Sequence, residues 1–162
     1  MRYGERGPAT QWRITLYRND EVLHRYVLGP KAEVRDVEVS WSPSSRAVLI
    51  GENYKAGMNL TLLRITKRGV ASTHFAVGDM VEKKMERQIM WRENLKSVAP
   101  VARVTWSTVK WILLSRCTMT YIFAGLGHQG ETKLRVDFTN ADPSLQIGNL
   151  HPLTHPEYFN WD

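Results

Sequence analysis

Few residues in this chain have chemical reach, and they are scattered. Gly125-Leu126-Gly127-His128-Gln129-Gly130 has the letter pattern of a dinucleotide-binding loop. That chemistry needs a helix after the loop, so that its N-terminus meets the pyrophosphate. Glu131 to Phe138 alternates instead and reads as a strand, so the segment is expected to be a glycine-rich hairpin loop with no cofactor. Ser107-Thr108-Val109-Lys110 spells S-x-x-K. Ser/Lys hydrolases place that serine at a helix start and the lysine one turn on; a turn followed by a strand, as read here, does not. His151 and His155 are spaced as metal ligands on a helix, but each precedes a proline. A pair completed by Glu157 or Asp162 is the one metal candidate, and loop histidines are the favoured reading. Glu52 and Glu131 both lie near turns, with nothing to fix the separation that paired-carboxylate hydrolysis needs. Cys117 is the single cysteine, which excludes an intrachain disulfide, and its apolar neighbours point to a buried structural thiol. No catalytic residue, metal or cofactor is expected.

The same loops suit recognition. Ser107, Thr108 and Lys110 on one turn, and Gly125, Gly127, His128 and Gln129 on another, are the expected partner-binding residues. The Ser42 to Ser45 turn ranks next. Glycines allow unusual backbone geometry at a contact, and His128 falls where a tip should be exposed. The formal charge is +6, spread along the chain rather than blocked, and favours an acidic protein partner. The runner-up is nucleic acid, with Arg13, Arg18 and Arg25 on the first hairpin as its basic patch; single-strand binders set aromatic rings beside such a patch. A small hydrolase is a further alternative. No apolar run reaches the ~18 residues of a membrane span. The start lacks an apolar signal-peptide centre, which suits a cytoplasmic protein, or a periplasmic one whose signal has been removed.

The elements that must position these residues are mostly strands. At 162 residues and 43% hydrophobic, the chain is expected to form a single domain with a sizeable core. Ile14 and Leu16 alternate before an Asn19-Asp20 turn, which predicts a hairpin ending at Gly29-Pro30. Strands are predicted at 34–41, 46–53, 59–66 and 70–77, joined by short turns in an antiparallel meander. The pattern then changes: Val81, Met85 and Ile89 recur at i+4, predicting a helix over 79–96 with Asp79 and Glu82 as its capping box. Strand rhythm resumes after Pro100. A hairpin is predicted with Val101 to Trp106 as one arm, Ser107-Thr108 as its turn and Lys110 to Ser115 as its return. Met119, Tyr121 and Phe123, then Leu134, Val136 and Phe138, predict two further strands. The fold expected is mainly β: two antiparallel sheets, or blade-like units, packed together, with half-repeats at about 11–77 and 101–140 joined by the helix.

Val39 to Val48, with Trp41-Ser42-Pro43-Ser44-Ser45-Arg46 at its centre, resembles the inner hairpins of WD-repeat and TolB-type propeller blades. There a Trp-Ser-Pro-Asp-Ser segment turns between a blade's first two strands; here Ser44 replaces the acidic residue. A weaker echo follows at Val104 to Leu114, with Trp106-Ser107 but no proline. The resemblance implies a reduced propeller of two blades. Some immunity proteins against secreted bacterial toxins look similar and carry no chemistry. The expected function is therefore a non-enzymatic protein-binding module, in the favoured version an inhibitor or immunity protein that occludes a toxin or hydrolase through exposed loops.

Overall fold

The order of elements follows the turn chemistry closely in the first half of the chain. In the computed structural model, which describes residues 13–28, 36–54, 57–87, 105–106, 109–125 and 128–152, β1 (Arg13–Arg18) and β2 (Glu21–Val27) form an antiparallel hairpin. Asn19 and Asp20 turn it with φ of 50° and 64°. Positive φ at both central residues matches the right-handed twist of the strands, and Asn and Asp tolerate it best after glycine. Next come β3 (Asp36–Trp41), β4 (Ala47–Tyr54), β5 (Gly57–Thr66) and β6 (Gly69–Ala76). They pair in sequence order as a four-stranded antiparallel meander. Gly69, at φ 122°, turns β5 into β6, in a region that only glycine adopts freely.

Helix α1 (Val77–Arg87) follows β6 directly. It starts two residues before the predicted Asp79 cap, so Asp79 lies inside the first turn rather than capping it. The carboxylate still faces the positive end of the helix dipole, while Lys84 and Arg87 occupy the last turn. Val77 and Val81 are buried and Met85 packs beside them, which is the predicted i+4 stripe begun one turn earlier. The predicted residues 88–96 lie outside those described.

The second half forms a six-stranded antiparallel sheet from β7 (Thr105–Trp106), β8 (Lys110–Leu113), β9 (Arg116–Gly125), β10 (His128–Asp137), β11 (Ser144–Ile147) and β12 (His151–Pro152). The hairpin predicted at Trp106 to Ser115 is not what forms. β7 and β8 both pair antiparallel with β9, Trp106 opposite Tyr121 and Lys110 opposite Thr118. They therefore run in the same direction, as two pieces of one edge. The reversal comes later, at Leu114-Ser115, between β8 and β9. The physical difference from the first half is visible in the turns. Ser42-Pro43-Ser44-Ser45 holds a proline and a serine with φ of 54°, whereas Ser107-Thr108-Val109 has no proline, glycine, asparagine or aspartate to impose a reversal.

Packing puts the four-stranded sheet in the middle. On one face, Ala47, Leu49, Met58, Leu60 and Leu62 share a core with Val77 and Val81 of α1 and with Cys117, Met119, Tyr121, Leu134 and Val136 of the six-stranded sheet. On the other face, Val48, Ile50 and Leu63 meet Leu16 and Leu28 beneath the first hairpin. Both faces of β4 and β5 are thus covered, which is why Ala47 to Ile50 is a continuous apolar run while β3 alternates. Among the described residues, the expected mainly-β fold with two packed antiparallel sheets and one helix is present, with the first hairpin forming a third, two-stranded sheet. Cys117 is fully buried, and burial pushes its thiol up to about 12, so it has no thiolate to offer at neutral pH.

Candidate functional site

The predicted binding residues fall in two places. Ser107, Thr108 and Gly127 lie outside the described residues. Gly125 ends β9, and His128 and Gln129 open β10, with Gly125 opposite His128 and Ala124 opposite Gln129. These residues extend a strand pair instead of belonging to the loop predicted over 125–130. No helix follows the glycines, since β10 continues to Asp137. Lys110 is exposed on β8, a strand, so it lacks the helical placement an S-x-x-K pair needs. Among the described residues no three histidine, cysteine or acidic side chains cluster as a metal site. His151 opens β12, while His155, Glu157 and Asp162 lie outside the described residues.

Lys110 leads into a surface feature that alternation alone hid. Ile112, Leu113 and Leu114 are 52%, 54% and 65% exposed, three apolar residues in a row at the tip of the β8–β9 hairpin. They close the segment that echoes the first hairpin, whose own return run, Val48, Leu49 and Ile50, is wholly buried. A bulge explains the difference. Trp111 pairs with Cys117 and Leu113 with Arg116, leaving Ile112 as an extra residue. An extra residue breaks the alternation and re-aims the side chains that follow.

The base of this tip is held firmly. The Trp111 indole N–H donates to Ser40 Oγ at 3.0 Å, bridging the two sheets, and its ring meets Phe138 edge-on at 6.0 Å. Phe138 N–H donates to the Ser115 carbonyl at 3.0 Å. Arg116 Nε pairs with Asp137 Oδ2 at 2.6 Å. Hydrogen bonds from Thr139, with Arg116 alongside, hold the Asp137 carboxyl down at about 2. Its folded value lies below its unfolded one, so the stabilisation is complete above about pH 4 and is lost as pH falls through about 2. Thermal unfolding of Asp137→Asn should therefore fall below wild type at about pH 5, with the gap closing below about pH 2. A gap independent of pH would show that the carboxyl does not couple to folding.

One further cluster of polar groups lies between the first hairpin and the middle sheet. The Tyr26 hydroxyl donates to Glu52 Oε1 at 2.5 Å and is 2.8 Å from Thr61 Oγ1, which is 3.0 Å from His74 Nδ1. A phenol has one proton. With that proton given to Glu52, Tyr26 accepts from Thr61, and Thr61 in turn accepts from the His74 Nδ1–H. Glu52 and Thr61 are buried, and Tyr26 is half-buried. The chain of bonds satisfies a carboxyl inside an apolar layer, and the cluster reads as a structural pin. Sequence pattern could not find it, because its members come from β2, β4, β5 and β6.

Comparison with known proteins adds no precedent for either cluster: no protein-family model, no curated protein and no solved structure matches this chain.

Proposed function

We propose that this chain is a non-enzymatic protein-binding module that inserts the β8–β9 hairpin tip into an apolar cleft of another protein, in the manner of an inhibitor or immunity protein. The observation that carries it is the exposure of Ile112, Leu113 and Leu114 on a hairpin whose base is fixed by Trp111 and Asp137. Water-exposed aliphatic side chains each gain about 1.5–3 kcal/mol on full burial. A rigid base means that little conformational freedom is lost when the tip docks. Exposed Lys110 beside the tip, and the overall charge of +6, favour a cleft with an acidic rim. The meander β3–β6, with the Trp41-Ser42-Pro43 turn between its first two strands, supports the propeller-blade resemblance on which the immunity role rests.

The test is capture of native partners on immobilised protein, with Ile112→Ser/Leu114→Ser as the comparison. Affinity for the captured partner should fall at least about 10-fold, the loss of one well-buried contact, while the unfolding midpoint stays put. A partner held equally well by the folded double variant would remove the tip from the interface.

A further inference from the structure

Three turns meet at one end of the molecule. β1–β2 contributes Tyr17 and Arg18, the β3–β4 turn contributes Arg46 beside Trp41, and the β5–β6 turn contributes Thr66 and Lys67. The last two turns lie together because a meander returns every second turn to the same end, and Ile65 N–H donates to the Arg46 carbonyl at 2.8 Å. Between them and the first hairpin is a groove of about 620 Å³. Its charged side chains are Arg18, Arg46 and Lys67, with no acid along the lining. Among the described residues none of the three forms an ion pair; the one ion pair there is Arg116 with Asp137. Like charges converging on a cleft focus the field and draw in an anion.

The groove also shows two aromatic rings to solvent. Tyr17 is 57% exposed and Trp41 39%. Open rings beside unpaired cations suit a ligand that has both a flat face and a negative charge. The cations do not stop at the groove. Arg13 lies on β1 two alternations from Tyr17, and Arg25 sits opposite Thr15 between them; both are exposed. A track this long exceeds what one free nucleotide would use. A paired duplex would leave the rings idle, and an acidic peptide has no flat face for them.

We infer that this groove, continued along the outer side of the β1–β2 hairpin, binds single-stranded nucleic acid, with bases stacking on Trp41 and Tyr17 and phosphates held by Arg18, Arg46 and Lys67. Stacking platforms flanked by cations bind single strands with little sequence preference and strong salt dependence. The groove shares no lining residue with the β8–β9 tip.

Fluorescence anisotropy with labelled 12-mers of deoxythymidylate and uridylate tests it. Binding should appear with at least one oligomer and weaken steeply with added salt. Trp41→Ala should weaken it roughly 5- to 150-fold, as loss of one stacked base does, and Trp41→Phe should recover most of that. Lys67→Gln, on an exposed turn where folding is not at stake, should weaken it and flatten the salt dependence. Competitors of equal charge, a polyglutamate peptide, a 12-bp duplex and anionic phospholipid vesicles, should displace the oligomer poorly, as should thymidine monophosphate. No binding, binding unchanged in both Trp41→Ala and Lys67→Gln, or displacement by any of these competitors at matched concentration would each overturn the inference.

Discussion

Leu62→Ala is expected to lower the unfolding free energy by about 2–5 kcal/mol, the range for deleting a buried leucine. Leu62 is completely buried on β5, on the face that the middle sheet shares with α1 and the six-stranded sheet. Its neighbours belong to other strands and to the helix, so they cannot all collapse into the space. Domains of this size have only about 5–15 kcal/mol in total, so the loss is a large fraction of stability. Urea unfolding measures it. Because the core is common to both sheets, amide protection should fall in β9 and β10 as well as in β5. Protection lost in β5 alone would mean that the sheets unfold separately. Leu114→Ala provides the contrast: at 65% exposure it should stay within about 0.5 kcal/mol of wild type.

Tyr26→Phe should cost about 1–3 kcal/mol, the penalty for stripping a partner from a buried polar group. The substitution keeps the ring and removes only the hydroxyl that joins Glu52 to Thr61. Glu52 is 1% exposed and would lose this donor at a site turned away from bulk solvent. A double-mutant cycle with Glu52→Gln separates the bond from general packing. Coupling of about 0.5 kcal/mol or more is expected for groups in one network; strictly additive losses would mean that the two side chains act independently. Hydrogen exchange should report the first hairpin loosening, since Tyr26 is its polar attachment to the sheet beneath.

The sequence made the first half of the fold readable because its turns are chemically explicit. Asn19-Asp20, Ser42 to Ser45 and Arg68-Gly69 each permit positive φ, and the strands between them follow. Trp41-Ser42-Pro43 proved informative for a local reason. Ser42 Oγ accepts from the Ala47 N–H at 3.0 Å, and Ser42 N–H donates to the Ala47 carbonyl at 2.9 Å, closing the turn on itself. The second half was less readable because its edge depends on pairing partners rather than on turns. Thr105-Trp106 and Lys110–Leu113 are placed by β9, which a window of neighbouring residues does not contain. The bulge at Ile112 is likewise a property of the ladder, and it turned an apparent core run into the exposed tip. Of the predicted contact residues among those described, Lys110 is the one that sits beside that tip. The groove was half visible: Arg18 and the Ser42 to Ser45 turn were singled out, but their meeting with Tyr17 and Lys67 is tertiary.

The two-sided burial of β4 removes a safeguard that most strands possess. When one face of a strand meets water, sliding it by one residue drives its apolar set into solvent, and hydrophobicity itself forbids the error. Sliding β4 would merely exchange Val48 and Ile50 for Ala47 and Leu49, one greasy pair for another. Correct alignment must therefore be dictated by the polar landmarks at its two ends, the serine that clasps Ala47 and the tyrosine that clasps Glu52.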